Sequence, residues 1–139
     1  MKYIMMIFVL SFSLMAADAV KVAKELGVYS DYNTAHQKAK SENKLMVLVV
    51  VWKPCKACDK LVNNTLSNDI VKNRLKDHVT VILDYKDKMP EEFHIKMAPK
   101  IFYINPKTEK SVWESMGAVS VETFMDDFKE ALEMLEEDS

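Results

Sequence analysis

A chain of 139 residues is enough for one compact domain with its own core and too short for two. Its hydrophobic share of 49% and charged share of 29% are those of an ordinary globular protein. A formal charge of −2 argues against nucleic acid as a partner, because phosphate binding needs a concentrated basic surface, and two glycines (Gly27 and Gly117) supply no glycine-rich phosphate loop.

The first residues have the pattern of an export signal. Lys2 gives a positive start, Tyr3 to Ala17 carries no charge, Ile4 to Leu10 with Phe12 and Leu14 form an apolar centre, and the small residues of "MAADA" follow. The apolar stretch is shorter than the roughly 18 residues that read as a membrane span. Residues 1–19 are therefore expected to be a signal peptide, cut after Ala16 or Ala19, with 20–139 the mature domain in the periplasm or another exported compartment. In an oxidising compartment a nearby cysteine pair tends to become a disulfide unless something keeps it reduced.

Residues 20–28 ("VKVAKELGV") predict a short helix stopped by Gly27. Asp31 is placed to cap a second helix, "YNTAHQKAKSEN", with Tyr32, Ala35 and Ala39 on one face. Leu45 to Trp52 is an unbroken valine-rich run, which suits a central strand buried on both faces. Helical "KACDKLVNN" follows, then "DIVKNRLKD" capped by Ser67 or Asn68, with Ile70, Val71 and Leu75 expected inward. "HVTVIL" (78–83) reads as a strand, "PEEFHI" as a helical turn with Pro90 at its first position, and "IFYI" (101–104) as another strand. Asn105-Pro106 opens a turn towards an antiparallel partner at Ser111 to Glu114. Ser120 is placed to cap a last helix whose core stripe is Phe124, Phe128, Leu132 and Leu135. Alternating strands and helices predict parallel pairing, and the closing hairpin predicts an antiparallel edge.

Cys55 and Cys58, the two cysteines of the chain, lie where the buried strand should end and a helix begin. A sulfur at a helix start faces unpaired backbone N–H groups and the positive end of the helix dipole, and Lys53 and Lys56 add charge on either side; all favour thiolate. The two-residue spacer lets the second sulfur resolve a mixed disulfide formed by the first. A structural staple over so short a loop would remove little chain entropy. A zinc site would want about four ligands, and His36, His78 and His94 are scattered without metal spacing. Copper(I) on two thiolates is the remaining metal alternative, with the methionines outside the leader dispersed.

Trp52, Cys55-Lys56-Ala57-Cys58 after a β run, Pro99 in "MAPKIFYIN" and "GAVSVETF" before the final helix together resemble the thioredoxin superfamily over roughly residues 30–136. "CKACDKLVNNTLSNDIVKNRL" is most similar to modules such as the C-terminal periplasmic domain of DsbD. The resemblance implies an α/β thioredoxin-like fold, a central mixed sheet flanked by helices, acting as a thiol–disulfide oxidoreductase. It implies Cys55 as attacking sulfur, Cys58 as resolving sulfur, and Pro99 as a cis-proline that, with Ala98, docks the substrate strand. Lys53 and Lys56 would stabilise the thiolate, and no cofactor or metal beyond the Cys55–Cys58 disulfide is called for. The expected activity is reduction of protein disulfides by a monomer recharged by a membrane-embedded thiol donor. The alternatives are an oxidase or isomerase, or a non-catalytic copper-binding or adaptor module. Two departures bear on mechanism: Val49 stands where many thioredoxins carry a buried acid, and Pro54 replaces the tryptophan usual before the first cysteine.

Overall fold

A computed structural model describes residues 18–139, so the apolar centre assigned to a leader lies outside the described residues. Strand β1 (Met46–Val51) follows Leu45 in a run whose residues are all completely or almost completely buried. Alternation of side chains along it feeds two separate cores. Leu45, Val47, Val49 and Val51 enter one with Phe124 and Phe128, whereas Met46, Leu48 and Val50 enter the other with Tyr32, Phe93 and Phe102. β-branched residues suit a strand enclosed in this way, and valine fills most of it.

Three more strands, β2 (Val79–Asp84), β3 (Lys100–Ile104) and β4 (Ser111–Met116), complete a sheet of order β2-β1-β3-β4. β1 and β2 are parallel, Met46 opposite Val79. β3 is antiparallel to both β1 and β4. The expectation of parallel pairing thus holds for the first crossover and fails for the second. The physical reason lies in the connection. Residues 85–99 contain only one 3₁₀ turn, Glu91–Phe93, and no helix long enough to carry the chain back along the sheet, so the chain re-enters at the end it left. Pro90 precedes that turn as its cap instead of occupying its first position. Beyond β2, Tyr29 exchanges hydrogen bonds with the Thr80 carbonyl and the Ile82 amide, which partly covers that edge.

Helices α1 (Ala19–Leu26) and α2 (Tyr32–Glu42) form as their end signals dictate. Asp18 and Asp31 accept hydrogen bonds from the amides of Lys21 and Thr34. Gly27 ends α1 at φ +67, and the following Val28 amide reaches back to the Ala23 carbonyl, a left-handed closure that a glycine adopts without steric cost. α1 starts earlier than expected, because Asp18 and the buried Ala19 are integral to it. The segment after the cysteines is helix α3 (Lys56–Lys60) continued as a π-helical stretch, Leu61–Leu66, two residues longer than expected. Helix α4 (Asp69–Leu75) is capped by Asn68. Val71 and Leu75 face inward, but Ile70 is 61% exposed, contrary to expectation: the i, i+4 pair sets the inner face, and Ile70 lies one position round from it.

Helix α5 (Val121–Glu137) starts at Ser120, which accepts from the Thr123 amide. Phe124, Phe128 and Ala131 are fully buried, with Leu132 and Leu135 half-buried on the flanks. The stripe therefore runs i, i+4, i+7, and the small Ala131 takes the close approach. Asp127 binds β4 to α5, accepting from Trp113 Nε1 at 3.1 Å and Ser115 Oγ at 2.5 Å. At the opposite end of the sheet from the cysteines, Tyr32 donates to Glu109 at 2.9 Å and joins α2 to the β3–β4 turn.

Two stability predictions follow from these contacts. A chain beginning at Val20 lacks the α1 cap and a buried alanine, so it should be about 1 kcal/mol less stable in urea denaturation than one beginning at Ala17. His78 packs edge-on against Phe128 at 4.9 Å, with Nδ1 unpartnered among the described residues. Burial, then the nearby Arg74, holds its pKa below the usual imidazole value. The unfolded chain takes up that proton first, so this contribution is complete above about pH 6.5 and declines as pH falls below it. Stability should accordingly drop less between pH 7 and pH 5 in His78→Gln than in the unaltered chain, measured from urea midpoints at the two pH values.

Candidate active site

The C-terminal end of β1 gives way at Trp52 to a turn in which the Lys53–Pro54 bond is cis, and Cys55 is the N-cap of α3. Cys55 and Cys58 form a disulfide. The Cys58 amide donates to Cys55 Sγ at 3.0 Å, so one of the orphan donors of the helix start is directed at that sulfur. The sulfurs differ in exposure: Cys55 is half-buried, whereas Cys58 is fully buried among Val49, Leu61, Val62 and the α5 aromatics. Val49 is fully enclosed in the same cluster, so the position that holds an acid in many thioredoxins holds hydrocarbon here.

Forty-three residues along the chain, Ala98 O lies 3.9 Å from Cys55 Sγ. The Ala98–Pro99 bond is cis, Pro99 is buried, and its carbonyl accepts from the Gly117 amide at 2.9 Å. The end of β4 therefore fixes the position of the proline loop. Lys53 and Lys56 are exposed on either side of Cys55. The structure thus brings Cys55, Cys58, Ala98 and Pro99 together, with the two lysines at the rim.

Three features of the site were not anticipated from sequence. Tyr85, just beyond β2, meets Trp52 edge-to-face with ring centroids 5.6 Å apart. Met97, next to Ala98, is 62% exposed. Thr65 Oγ1 donates to the Val119 carbonyl at 2.6 Å and ties the helix carrying the cysteines to the loop before α5. The Thr65-x-Ser67 spacing is the only one of these with a sequence signal: Ser67 Oγ donates to the Asn63 carbonyl at 2.6 Å, inside the π-helical stretch. The three histidines remain apart; His36, for example, lies 3.3 Å from the Pro106 carbonyl at the far end of the sheet. Among the described residues no cluster of three or more His, Cys, Asp or Glu side chains is placed to hold a metal ion.

The mixed sheet with β3 and β4 antiparallel, helices on both faces and a disulfide at a helix start matches solved structures closely in path. The fold is thioredoxin-like. A thioredoxin from Thermus thermophilus superposes with a TM-score of 0.66 at 16% identity, covering 76% of this chain and 86% of the other. A DsbH oxidoreductase gives 0.61 at 18%, covering 76% and 83%. The oxidised C-terminal domain of Neisseria meningitidis DsbD gives 0.61 at 16%, covering 75% of this chain and 98% of that domain. No protein-family profile matches the sequence, and no curated protein matches it.

Because Thr65 is nearly fully buried, Thr65→Val should leave the Val119 carbonyl without its donor. A loss of about 1–3 kcal/mol in chemical denaturation is expected, with the thioredoxin-like far-UV spectrum retained.

Proposed function

We propose that this protein is an exported thiol–disulfide oxidoreductase that reduces protein disulfides and is recharged by a membrane-embedded thiol donor. The observation that carries the reading is the asymmetry of the cysteine pair. Cys55 is accessible, caps a helix and accepts an amide hydrogen bond, while Cys58 sits behind it in the apolar core. An accessible sulfur with a backbone donor aimed at it is suited to be the attacking thiolate, and a buried one cannot compete for a protein substrate. Both lysines add positive charge around that thiolate.

In the forward reaction Cys55 thiolate attacks one sulfur of a substrate disulfide. An S–S bond to the substrate forms as the substrate's own breaks, and the leaving thiolate takes a proton from water. Cys58, deprotonated, then attacks Cys55 Sγ and releases the second substrate thiol. Two electrons pass to the substrate, and the protein is left with the Cys55–Cys58 disulfide. With hydrocarbon at Val49, the Cys58 proton passes to water or to another group. Ala98, held against the cis Pro99, offers backbone groups beside Cys55 for pairing with an extended substrate segment.

The reductase direction rests on the likeness to thioredoxin and to the DsbD C-terminal domain. Export rests on the charge and hydropathy pattern of residues 1–17, and among the described residues no helix is long and apolar enough to cross a membrane. A cut after Ala16 retains the cap Asp18 and the buried Ala19, which favours it over a cut after Ala19.

Cys58→Ser should accumulate mixed disulfides with protein substrates, and Cys55→Ser should trap none; faster alkylation of Cys58 than Cys55 in the reduced protein would refute the assignment. Pro99→Thr should lower turnover with the fold retained. In cells the pair should be mostly reduced with the donor present and oxidised without it. A pair oxidised in both backgrounds, with a potential near the roughly −120 mV of strong oxidants, would make the protein an oxidase. Absence of any disulfide turnover would leave an adaptor or copper-binding role.

A further inference from the structure

Beside Cys55 an open groove of about 330 Å³ is lined by Trp52, Lys53, Pro54 and Tyr85. Its floor is built, not incidental. The Tyr85 amide donates to the Val51 carbonyl at 2.9 Å, which joins the ends of β1 and β2, and the Trp52 and Tyr85 rings meet at 79°. Lys53 is an exposed lining residue, and Lys86 Nζ lies 5.4 Å from the centroid of the Tyr85 ring that lines the groove.

The acids of the same turn point elsewhere. Asp84 accepts from the Lys86 amide at 3.0 Å, and Asp87 accepts from the Asp84 amide at 2.8 Å. Both carboxylates are half-buried and engaged with backbone donors, whereas the two lysine side chains are exposed. An incoming group therefore meets aromatic faces and ammonium ions first. Asp84 and Asp87 offset the lysines at longer range, so the selection acts by contact and not by steering from a distance.

The groove is too open to enclose a free small molecule. A side chain delivered on a segment already bonded to Cys55 needs little affinity of its own, because the mixed disulfide supplies its effective concentration. Resting on the oxidoreductase reading above, we propose that this groove is a specificity subsite for protein substrates. It takes an aromatic or large aliphatic side chain close to the substrate's cysteine, and Lys53 and Lys86 pair with a carboxylate next to that side chain. The partner class is a disulfide-bearing protein whose exposed cysteine is flanked by aromatic and acidic residues.

The test uses the pre-reduced full-length mature protein in single turnover with three probes. Two are disulfide-bridged peptides that differ only in carrying Asp-Tyr or Lys-Tyr beside the bridge, and the third is bis(2-hydroxyethyl) disulfide, which has no group for the subsite. The Asp-Tyr peptide should be reduced about five-fold faster, the ratio that one exposed ion pair supports. Lys86→Glu should abolish or invert that preference, Lys86→Gln should reduce it, and Tyr85→Ala should slow both peptides. Both Lys86 variants should reduce the hydroxyethyl disulfide at the unaltered rate. Equal peptide rates with the unaltered protein, or a preference that survives in Lys86→Glu, would overturn the subsite while leaving the oxidoreductase reading intact. No reduction of any probe would overturn both.

Discussion

Strand β1 carries two cores at once, and the rest of the fold is arranged around that demand. It is hydrogen-bonded to β2 on one edge and β3 on the other, and every residue from Met46 to Val51 has zero exposure. Odd and even positions pack against opposite helical layers. A slip of one residue would exchange the two sets and place Leu48 where Val49 now sits, so the register is firmly specified. Because the register is fixed, so is the point at which the strand ends. Trp52, Lys53 and Pro54 then turn the chain, and Cys55 emerges at the start of α3 instead of inside the sheet.

The direction of β3 completes the site. Val50 opposes Lys100 in the antiparallel ladder, so the residues before Lys100 lie at the same end of the sheet as the residues after Val51. That is why Ala98 and Pro99 meet Cys55. In a parallel arrangement the start of β3 would lie at the other end of the strand, about 17 Å away at 3.3 Å per residue. The absent crossover helix between β2 and β3 thus has a chemical consequence: a short connection keeps both loops on one rim. The Pro99 carbonyl to Gly117 amide bond and the Thr65 to Val119 bond then brace that rim from β4 and from the loop before α5.

Around the disulfide the polar and apolar surroundings are divided cleanly. Behind it, Cys58 is fully buried in the apolar cluster that also holds Val49, Leu61, Val62 and Phe124. In front, the Cys58 amide at the helix start donates to Cys55, and Lys53 and Lys56 are exposed nearby in the chain. One sulfur is thus half-exposed at the surface, and the other is fully enclosed. The same division recurs at the Tyr85 turn, where carboxylates bond inward to amides and the Lys86 ammonium remains on the surface.

Sequence alone determined the elements whose causes are local. Asp31, Ser120 and Gly27 mark helix ends through hydrogen bonds that span three to five residues, and the unbroken valine-rich run at 45–52 suits an enclosed strand. The cysteine pair at a strand–helix junction, and Pro99 ahead of the next apolar run, were legible for the same reason. What the sequence left open was every feature set by residues far apart in the chain. Periodicity does not encode strand direction, so β3 was expected parallel. Three or four apolar residues in a short helix do not say which will face the core, so Ile70 was expected inward, and Leu132 where Ala131 is buried. Tyr85 stands in a polar turn without periodicity, and only the pairing of β1 with β2 brings its ring to Trp52. Local hydrogen-bond and steric preferences act through neighbouring residues and can be read one window at a time. Tertiary structure decides the rest, because packing and strand pairing join groups whose separation along the chain carries no signal.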